Sequence, residues 1–278
     1  MQVLAVAGPS DSGKTTLVER LVGRLSERGR VATVKHLRTE PTVDTEGKDT
    51  DRHRRAGAGA TYGVTDDAGW FATGRERTLD ETLDHLAADY DYALVEGYSS
   101  ADLPTVALGG RDHAGETVAT APEADAVDLD GIVEALQDLE PYETLGSLVA
   151  EVKRSPDARY AGAIATFTGR VRRQEDADDD PTEYLEFEKY EGVADERMAT
   201  IRDELEARDG VHEVRMHHRT GLVEDGEDIV FVVVLAGHRR EAFETVEDGI
   251  DRLKDEVPLF KKEVTVESEF WRHERPPE

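Results

Sequence analysis

The sequence predicts two unlike domains, an α/β domain with a parallel sheet followed by an α+β domain. The chain has 278 residues, a length typical of two domains rather than one. Strand-like and helix-like segments alternate in the first half, which is typical of a parallel sheet with both faces covered. The second half interleaves strands and helices without that rhythm. We therefore assign residues 1–137 to the first domain, 138–150 to a linker or first helix, and 145–278 to the second domain.

Apolar periodicity locates the elements of the first domain. It predicts a buried strand at residues 2–7, and the spacing of leucine and valine beyond it predicts a helix at 15–28. The polar segment 36–59 indicates a loop with a short helix. The other predicted elements are strands at 30–35 and 90–95 and a helix at 78–88.

The same periodicity locates the elements of the second domain, where strands outnumber helices. Pro258 is expected to end the last helix, because proline removes a backbone donor and clashes with the preceding turn. The predicted strands cover residues 161–171, 182–189, 214–219, 228–237 and 261–270, and the predicted helices cover 193–207 and 239–255.

The chain is strongly acidic, with 62 acidic and 34 basic side chains and a formal net charge of −28. Such a surface stays soluble by self-repulsion, which high salt screens. Together with the scarcity of lysine, this composition resembles that of cytosolic proteins from salt-accumulating archaea. An ordinary acidic mesophilic protein is the alternative. The charge argues against non-specific binding to nucleic acid.

Two residue types are absent, and each absence excludes a class of site. The chain has no cysteine, which excludes disulfides, Cys-ligated zinc, Fe–S clusters and a catalytic thiol, and we expect no tightly bound redox cofactor. It has no asparagine, which excludes the guanine-reading Asn-Lys-x-Asp motif. Neither a long apolar run nor a basic leader is present, so we expect a cytoplasmic location without membrane association.

A glycine-rich loop joins the first predicted strand to the first predicted helix. Residues 8–15, GPSDSGKT, fit the phosphate-binding motif G-x-x-x-x-G-K-[ST] in its strand–loop–helix context. Backbone N–H groups and the helix N-terminus would face the phosphates, Lys14 would reach the β/γ-phosphates, and the Thr15 hydroxyl would ligate Mg²⁺. The alternative is an incidental glycine turn. The predicted nucleotide-binding residues here are Gly8, Ser12, Gly13, Lys14, Thr15 and Thr16.

Two acidic residues extend this candidate site. Glu96 follows the apolar run of a predicted strand, where a carboxylate can hold Mg²⁺ or orient the attacking water. A solvated strand end is the alternative for Glu96. Asp49 lies in a polar stretch where it could contact nucleotide, although Asp49 or Thr50 could instead be a helix N-cap.

Four motifs of the first domain, taken in order, resemble the MobB family. They are GPSDSGKTTL, VKH (34–36), GKDTDRHRRAGA (47–58) and LVEGY (94–98). The resemblance covers about residues 1–137. It implies a P-loop NTPase-like fold that binds GTP and Mg²⁺, has weak GTPase activity, and assists guanine-nucleotide attachment during molybdenum-cofactor biosynthesis. The residues themselves do not distinguish GTP from ATP.

Basic residues gather at predicted element ends in the second domain. The segment RLKDEVPLFKKE, residues 252–263, holds three of the eight lysines of the chain. Pro258 turns the chain between Lys254 and Lys261, so these two can converge. Arg239 and Lys254 are fifteen residues apart on one predicted helix, so they can share a site only through folding or a second subunit. Converging cations fit an anionic ligand such as phosphate, and local pairing with Asp and Glu is the alternative.

Segments of the second domain resemble the MoaE family, the catalytic large subunit of molybdopterin synthase. They are GAIATFTGRVR (162–172), YLEFEKYEGVADERM (184–198), HHRTGLVEDGE (217–227), GHRREAF (237–243), LKDEVPLFKKE (253–263) and Trp271. The resemblance implies that Lys254 and Lys261 are catalytic. It implies that the substrate is bound by Arg172, His238, Arg239, Lys262 and Glu263.

The MoaE resemblance also implies a reaction and an assembly. Sulfur would pass from the C-terminal thiocarboxylate of a small ubiquitin-like partner to cyclic pyranopterin monophosphate, giving the molybdopterin dithiolene, and the enzyme would be a homodimer. A chain without cysteine agrees with an external sulfur donor. A nucleotide-regulated adaptor without sulfur transfer and a small-molecule kinase remain alternatives. A metal site at His217 and His218 is disfavoured, because neighbouring strand residues point to opposite faces.

Overall fold

The computed structural model describes residues 1–39, 45–174, 180–190, 192–265 and the backbone of 269–273. The side chain of Trp271, which contributes to the MoaE resemblance, lies outside this description. The chain divides into two compact units, Met1–Tyr142 and Glu143–Glu278, called here the first and second unit. No helix in the described ranges is both long and apolar enough to cross a membrane.

The first unit alternates strands and helices around one main sheet. Its strands are β1 (Gln2–Ala7), β2 (Val31–Lys35), β3 (Ala60–Val64), β4 (Trp70–Gly74), β5 (Tyr92–Glu96), β6 (Thr105–Leu108) and β7 (Thr117–Ala121). Its helices are α1 (Lys14–Leu25), α2 (Asp49–Arg55), α3 (Leu79–Ala87) and α4 (Leu129–Asp138). The antiparallel pair β3–β4 stands apart from the main sheet.

The main sheet of the first unit is parallel, with strand order β2-β5-β1-β6-β7, which confirms the predicted fold class. Successive residues of β1 point to opposite faces. Leu4 and Val6 join the core formed with α1 and α4, whereas Val3 and Ala5 join the core formed with Leu83 of α3. The strand order reverses at β1, so the loop after β1 lies at the switch point where open α/β sheets bind ligands.

The described part of the second unit contains antiparallel strands and three α-helices. Its strands are β8 (Ala163–Arg170), β9 (Thr182–Lys189), β10 (Val211–His218), β11 (Gly221–Glu224), β12 (Asp228–Ala236), β13 (Leu259–Thr265) and β14 (Glu269–His273). Its helices are α5 (Leu145–Arg154), α6 (Val193–Glu206) and α7 (Arg239–Glu256).

Two sheets organise the second unit, with orders β10-β12-β8 and β11-β9-β13-β14, which confirms the α+β class. Strand β12 is buried on both faces. Its Phe231, Val233 and Leu235 pack against α5, and its Val232 and Val234 share a core with α6 and α7. The prediction of one terminal strand at 261–270 is wrong, because β13 and β14 are separate antiparallel neighbours. Alternating polar residues in this region carry no signal that separates one strand from two.

Candidate functional sites

The predicted phosphate-binding loop connects β1 to α1 and depends on two glycines. Gly13 has φ +84°, and a Cβ there would lie 2.7 Å from the Ala124 Cβ. A Cβ on Gly8 would lie 2.5 Å from the Ser12 Oγ. Glycine is therefore the residue that allows this tight turn and brings the loop backbone to the start of α1.

Side chains of the loop bond to the loop itself. The buried Ser12 donates a hydrogen bond to the carbonyl oxygen of Pro9 at 3.0 Å, and the Lys14 ammonium donates to the same oxygen at 2.5 Å. Thr16 is exposed in the first turn of α1. The Lys14 ammonium is thus held against the loop backbone, and its predicted contact with phosphate stays a prediction.

The ends of three neighbouring strands bring Glu96 and Lys35 beside the loop. Strand pairing aligns Glu96 with Val6 of β1 on one side and with Lys35 of β2 on the other. The Thr15 Oγ1 lies 3.0 and 3.1 Å from the two carboxylate oxygens of Glu96. The Lys35 Nζ lies 2.8 Å from the Glu96 Oε1 and 3.3 Å from the Thr15 Oγ1.

Glu96 is buried and bonded, so the alternative of a solvated strand end is wrong for this residue. Lys35 was not among the predicted nucleotide-binding residues. Its contact with Glu96 depends on β5 lying between β1 and β2, a strand order that the local sequence pattern does not encode.

Asp49 is the first residue of α2, and Lys48 occupies the N-cap position, so neither Asp49 nor Thr50 caps this helix. The Asp49 carboxylate is exposed and lies 3.4 Å from the Arg52 guanidinium within the same helix. Its predicted contact with nucleotide stays a prediction.

The buried carboxylate of this segment is instead Asp51. It accepts a hydrogen bond from the Gly47 backbone N–H at 2.8 Å and pairs with Arg54 at 3.0 Å and Arg55 at 2.9 Å. The Gly47 hydrogen bond, with the two guanidinium groups, holds the pKa of Asp51 below its usual value. These bonds fasten the turn before α2, so we assign Asp51 a structural role.

A cavity of about 750 Å³ in the second unit brings together four of the predicted residues. It is lined by residues of β8, β9, β10, β12 and β13 and by the C-terminal end of α7. The predicted residues that line it are Arg172, Lys254, Lys261 and Glu263.

Lys254 enters the cavity from the last turn of α7, and Lys261 enters it from β13. The Lys254 Nζ lies 6.0 Å from the centre of the Phe167 ring. Within the described part of the chain, Lys254 pairs with no carboxylate, so the alternative of local pairing does not explain its position. Its ammonium group lies over the Phe167 ring, and both residues line the cavity.

Lys261 has a bonded acidic neighbour on its own strand. Its Nζ lies 3.9 Å from the Glu263 Oε2, and the Thr182 hydroxyl donates to the Glu263 Oε1 at 2.8 Å. Residues two apart on a strand share a face, so Lys261 and Glu263 face the cavity together. Lys262 points to the other face, where its Nζ lies 3.7 Å from Glu186. Thr182 is not among the residues predicted from the sequence, because its contact with Glu263 spans 81 residues.

His238 and Arg239 lie at the opposite end of α7 from Lys254. His238 is the N-cap residue, Arg239 is the first helical residue, and both are exposed. Fifteen residues of helix separate Arg239 from Lys254, which corresponds to about 22 Å along the axis. The structure therefore does not bring Arg239 to the cavity of its own chain.

Acidic side chains also line the cavity, so its charge is mixed. Glu256 pairs with Arg197 and accepts a hydrogen bond from Arg252 at 2.8 Å. The Arg252 hydrogen bond, with the positive charges of both arginines, lowers the pKa of Glu256. This carboxylate is thus neutralised by its two arginine partners rather than by a lysine of the cavity.

His217 and His218, the last two residues of β10, pack against aromatic rings. The buried His218 lines the cavity, with its Nδ1 2.8 Å from the Arg219 carbonyl oxygen and its ring edge-on to Phe187 at 4.8 Å. His217 stacks on Phe231 with ring centres 6.4 Å apart. These contacts agree with the packing role that strand alternation favours.

The two units match two different protein families. The family model for MoaE protein matches residues 141–256, and the model for molybdopterin guanine dinucleotide synthesis protein B matches residues 3–129. The chain is 56% identical over 275 residues to a probable molybdopterin synthase of Haloferax volcanii, a match that covers 99% of this chain and 100% of that relative. The chain belongs to the molybdopterin synthase family. It is a protein of molybdenum-cofactor biosynthesis, with a MobB-like first half and a MoaE-like second half.

Further relatives of this molybdopterin synthase family member match one half each. The molybdopterin synthase catalytic subunit of Pyrococcus abyssi is 41% identical over 110 residues, which cover 40% of this chain and 73% of that relative. The solved molybdopterin synthase of Staphylococcus aureus is 31% identical, with a TM-score of 0.43, over 49% of this chain and 94% of that one. Bacillus subtilis MobB is 26% identical, with a TM-score of 0.39, over 51% of this chain and 100% of that one. The family resemblances predicted from sequence motifs are confirmed by the two family models.

Proposed function

We propose that the second unit transfers sulfur from the C-terminal thiocarboxylate of a small ubiquitin-like protein to cyclic pyranopterin monophosphate. The observation that carries this proposal is the shared cavity of Lys254 and Lys261. Its volume of about 750 Å³ falls in the range of small-molecule sites. Relatives of the second unit are named molybdopterin synthase catalytic subunit, which supports the same reaction.

Each cation has a place in this chemistry. The Arg172 guanidinium suits a phosphate, which it can bind through two hydrogen bonds. The two ammonium groups can stabilise negative charge on the thiocarboxylate carbonyl oxygen and supply protons as sulfur leaves. Glu263, held by Thr182, positions Lys261. Each transfer turns one thiocarboxylate into a carboxylate whose new oxygen comes from water, so one dithiolene uses two partner molecules.

The enzyme would work as a homodimer with shared sites. His238 and Arg239 are expected to bind substrate, yet they lie at the far end of α7 from Lys254. A two-fold symmetric pair of chains can place this end of one α7 at the cavity of the other chain. Both sets of cations then meet one phosphorylated substrate.

A reconstituted assay with purified substrate and thiocarboxylated partner tests the sulfur transfer. Lys254→Ala and Lys261→Ala should each reduce dithiolene formation by about 100-fold or more, the usual scale for a proton-transferring group. The control is Lys153→Ala, which removes an exposed lysine of α5. Full activity of the Lys254 and Lys261 variants would contradict the catalytic role proposed for these two lysines. An adaptor predicts a different result, because its wild-type protein forms no molybdopterin.

We propose that the first unit binds GTP with Mg²⁺, hydrolyses it slowly, and assists nucleotide attachment to the cofactor. The supporting observation is the glycine-rich loop at the switch point, with Thr15 and Glu96 next to it. A hydroxyl and a carboxylate are hard oxygen ligands of the kind that Mg²⁺ prefers, so these residues fit the ion. Bound there, Mg²⁺ would neutralise phosphate charge.

Binding of fluorescent GTP and ATP analogues, with and without Mg²⁺, tests the second proposal. Lys14→Ala should weaken binding of the preferred nucleotide at least tenfold, because a cation at the phosphates is lost. Binding that is independent of Lys14 would contradict the proposed site. Rapid phosphoryl transfer to a small molecule would favour the kinase alternative.

A further inference from the structure

The Lys35 ammonium contacts the same two side chains that are the candidate Mg²⁺ ligands. Its Nζ lies 2.8 Å from the Glu96 Oε1 and 3.3 Å from the Thr15 Oγ1. We propose that Lys35 is an internal cation that competes with Mg²⁺ for these oxygens and so lowers the metal affinity of the site. This inference rests on the proposed nucleotide site of the first unit.

The hydrogen bonds at Thr15 show how the competition arises. The single hydroxyl proton of Thr15 is directed at the Glu96 carboxylate, at 3.0 and 3.1 Å. A hydroxyl oxygen has two lone pairs, and Lys35 donates to one of them. A lone pair that accepts a proton from an ammonium group is not available to a metal ion. Lys35 therefore engages one oxygen of each ligand at the same time.

Charge repulsion prevents the Lys35 ammonium and Mg²⁺ from occupying the place beside Glu96 and Thr15 at the same time. Mg²⁺ binds its oxygen ligands at about 2.0–2.1 Å, which would bring it close to an ammonium held 2.8 Å from Glu96. Two positive charges at such a separation repel each other. The ammonium must then leave Glu96 when the ion arrives.

The two partners differ in how freely they can move. The side chain of Glu96 is 11% exposed, whereas that of Lys35 is 52% exposed. Burial keeps the carboxylate in place, and a buried carboxylate is costly without a cation beside it. The lysine has a flexible four-carbon stem with room to turn outward. Lys35 can thus neutralise Glu96 and still be displaced.

Lys14 does not have this role, although it belongs to the same loop. Its ammonium donates to the Pro9 carbonyl oxygen at 2.5 Å. Lys14 is thus directed at the loop backbone, where phosphate oxygens are expected, and Lys35 at the metal ligands. Mg²⁺ should therefore displace the Lys35 ammonium from its contacts but not the Lys14 ammonium.

The test measures how much Mg²⁺ strengthens nucleotide binding. Affinity for a fluorescent GTP analogue and a fluorescent ATP analogue is measured on the full chain in EDTA and in Mg²⁺, and the ratio of the two affinities is the metal enhancement. Lys35→Met and Lys35→Gln should each raise this ratio about fivefold, since metal no longer displaces a partly exposed ion pair. Lys35→Arg keeps the charge and should leave the ratio near that of the wild type.

Lys153→Met, in the second unit, is the matched control and should leave the ratio unchanged. Circular dichroism confirms folding of every variant, and the neutral pair Met and Gln keeps the test valid if one of them misfolds. An unchanged or smaller ratio in the neutral variants would overturn the competition while leaving the nucleotide site intact. A wild-type chain that binds neither analogue in Mg²⁺ would overturn the proposed function itself, and this inference with it.

Discussion

Arg239 and Lys254 occupy opposite ends of the same helix, α7. Arg239 opens the helix after the buried strand β12, and Lys254 lies in its last turn at the edge of the cavity. A helix is rigid over this length, so no side-chain rotation brings the two groups to one ligand. Their joint use in a reaction requires the α7 of a second chain.

Mixed dimers provide the first prediction. Arg239→Ala and Lys254→Ala chains should each be nearly inactive in sulfur transfer. Mixed in equal amounts and allowed to exchange, they should recover about a quarter of the wild-type activity, because half of the dimers then carry one intact site of two. The assay is dithiolene formation before and after exchange. Sites confined within one chain would show no recovery.

Single substitutions in the full chain should separate nucleotide binding from sulfur transfer. Lys14→Ala removes the phosphate-loop ammonium of the first unit and should weaken nucleotide binding at least tenfold while sulfur transfer continues. Lys254→Ala should do the reverse, because its cavity is lined wholly by residues of the second unit. Fluorescent-nucleotide binding and dithiolene formation are measured on both variants. Loss of both activities in either variant would show that the sites depend on each other.

Gly13→Ala should destabilise the first unit and prevent nucleotide binding. Its φ of +84° and a Cβ contact of 2.7 Å with Ala124 leave alanine strained, at a cost of about 1–2 kcal/mol or more. Gly23→Ala is the control in the same region, because a Cβ there meets no atom within 4 Å. That change should raise helix stability by up to about 1 kcal/mol. Urea unfolding measures both, and equal effects would contradict the argument.

Glu256→Gln should lower the stability of the folded chain in a pH-dependent way. The hydrogen bond from Arg252, with the charge of Arg197, depresses the folded pKa of Glu256 below its ordinary value. A depressed carboxyl pKa contributes stability above the unfolded pKa, and this contribution is lost as the pH falls through the folded pKa. The loss at neutral pH should be about 1 kcal/mol.

Urea unfolding at a series of pH values checks this prediction. The difference between wild type and Glu256→Gln should shrink as the pH falls below the ordinary carboxyl range. Glu247→Gln, at an exposed position of α7, should show little difference at any pH. If the stability difference between wild type and Glu256→Gln stays constant with pH, the ion pairs of Glu256 are not its cause.

Sequence patterns located most elements because their signals are local. The apolar run before Gly8 and the helical spacing after Lys14 predict β1 and α1 within a few residues. Short strands escaped, among them β6 with four residues and β11 with four. A strand of this length has too few residues to establish a period, so pattern alone does not separate it from a loop.

By itself, the sequence determined the class of both halves, the phosphate loop, the two families and the lysine pair around Pro258. Each of these follows from residues close together in the chain. Only the tertiary structure decided that Lys35 meets Glu96, that Thr182 supports Glu263, and that Arg239 is remote from the cavity of its own chain. These relations arise from strand order, pairing register and helix length, which join residues far apart in sequence. Local periodicity carries no information about such contacts, because they depend on how the whole chain packs.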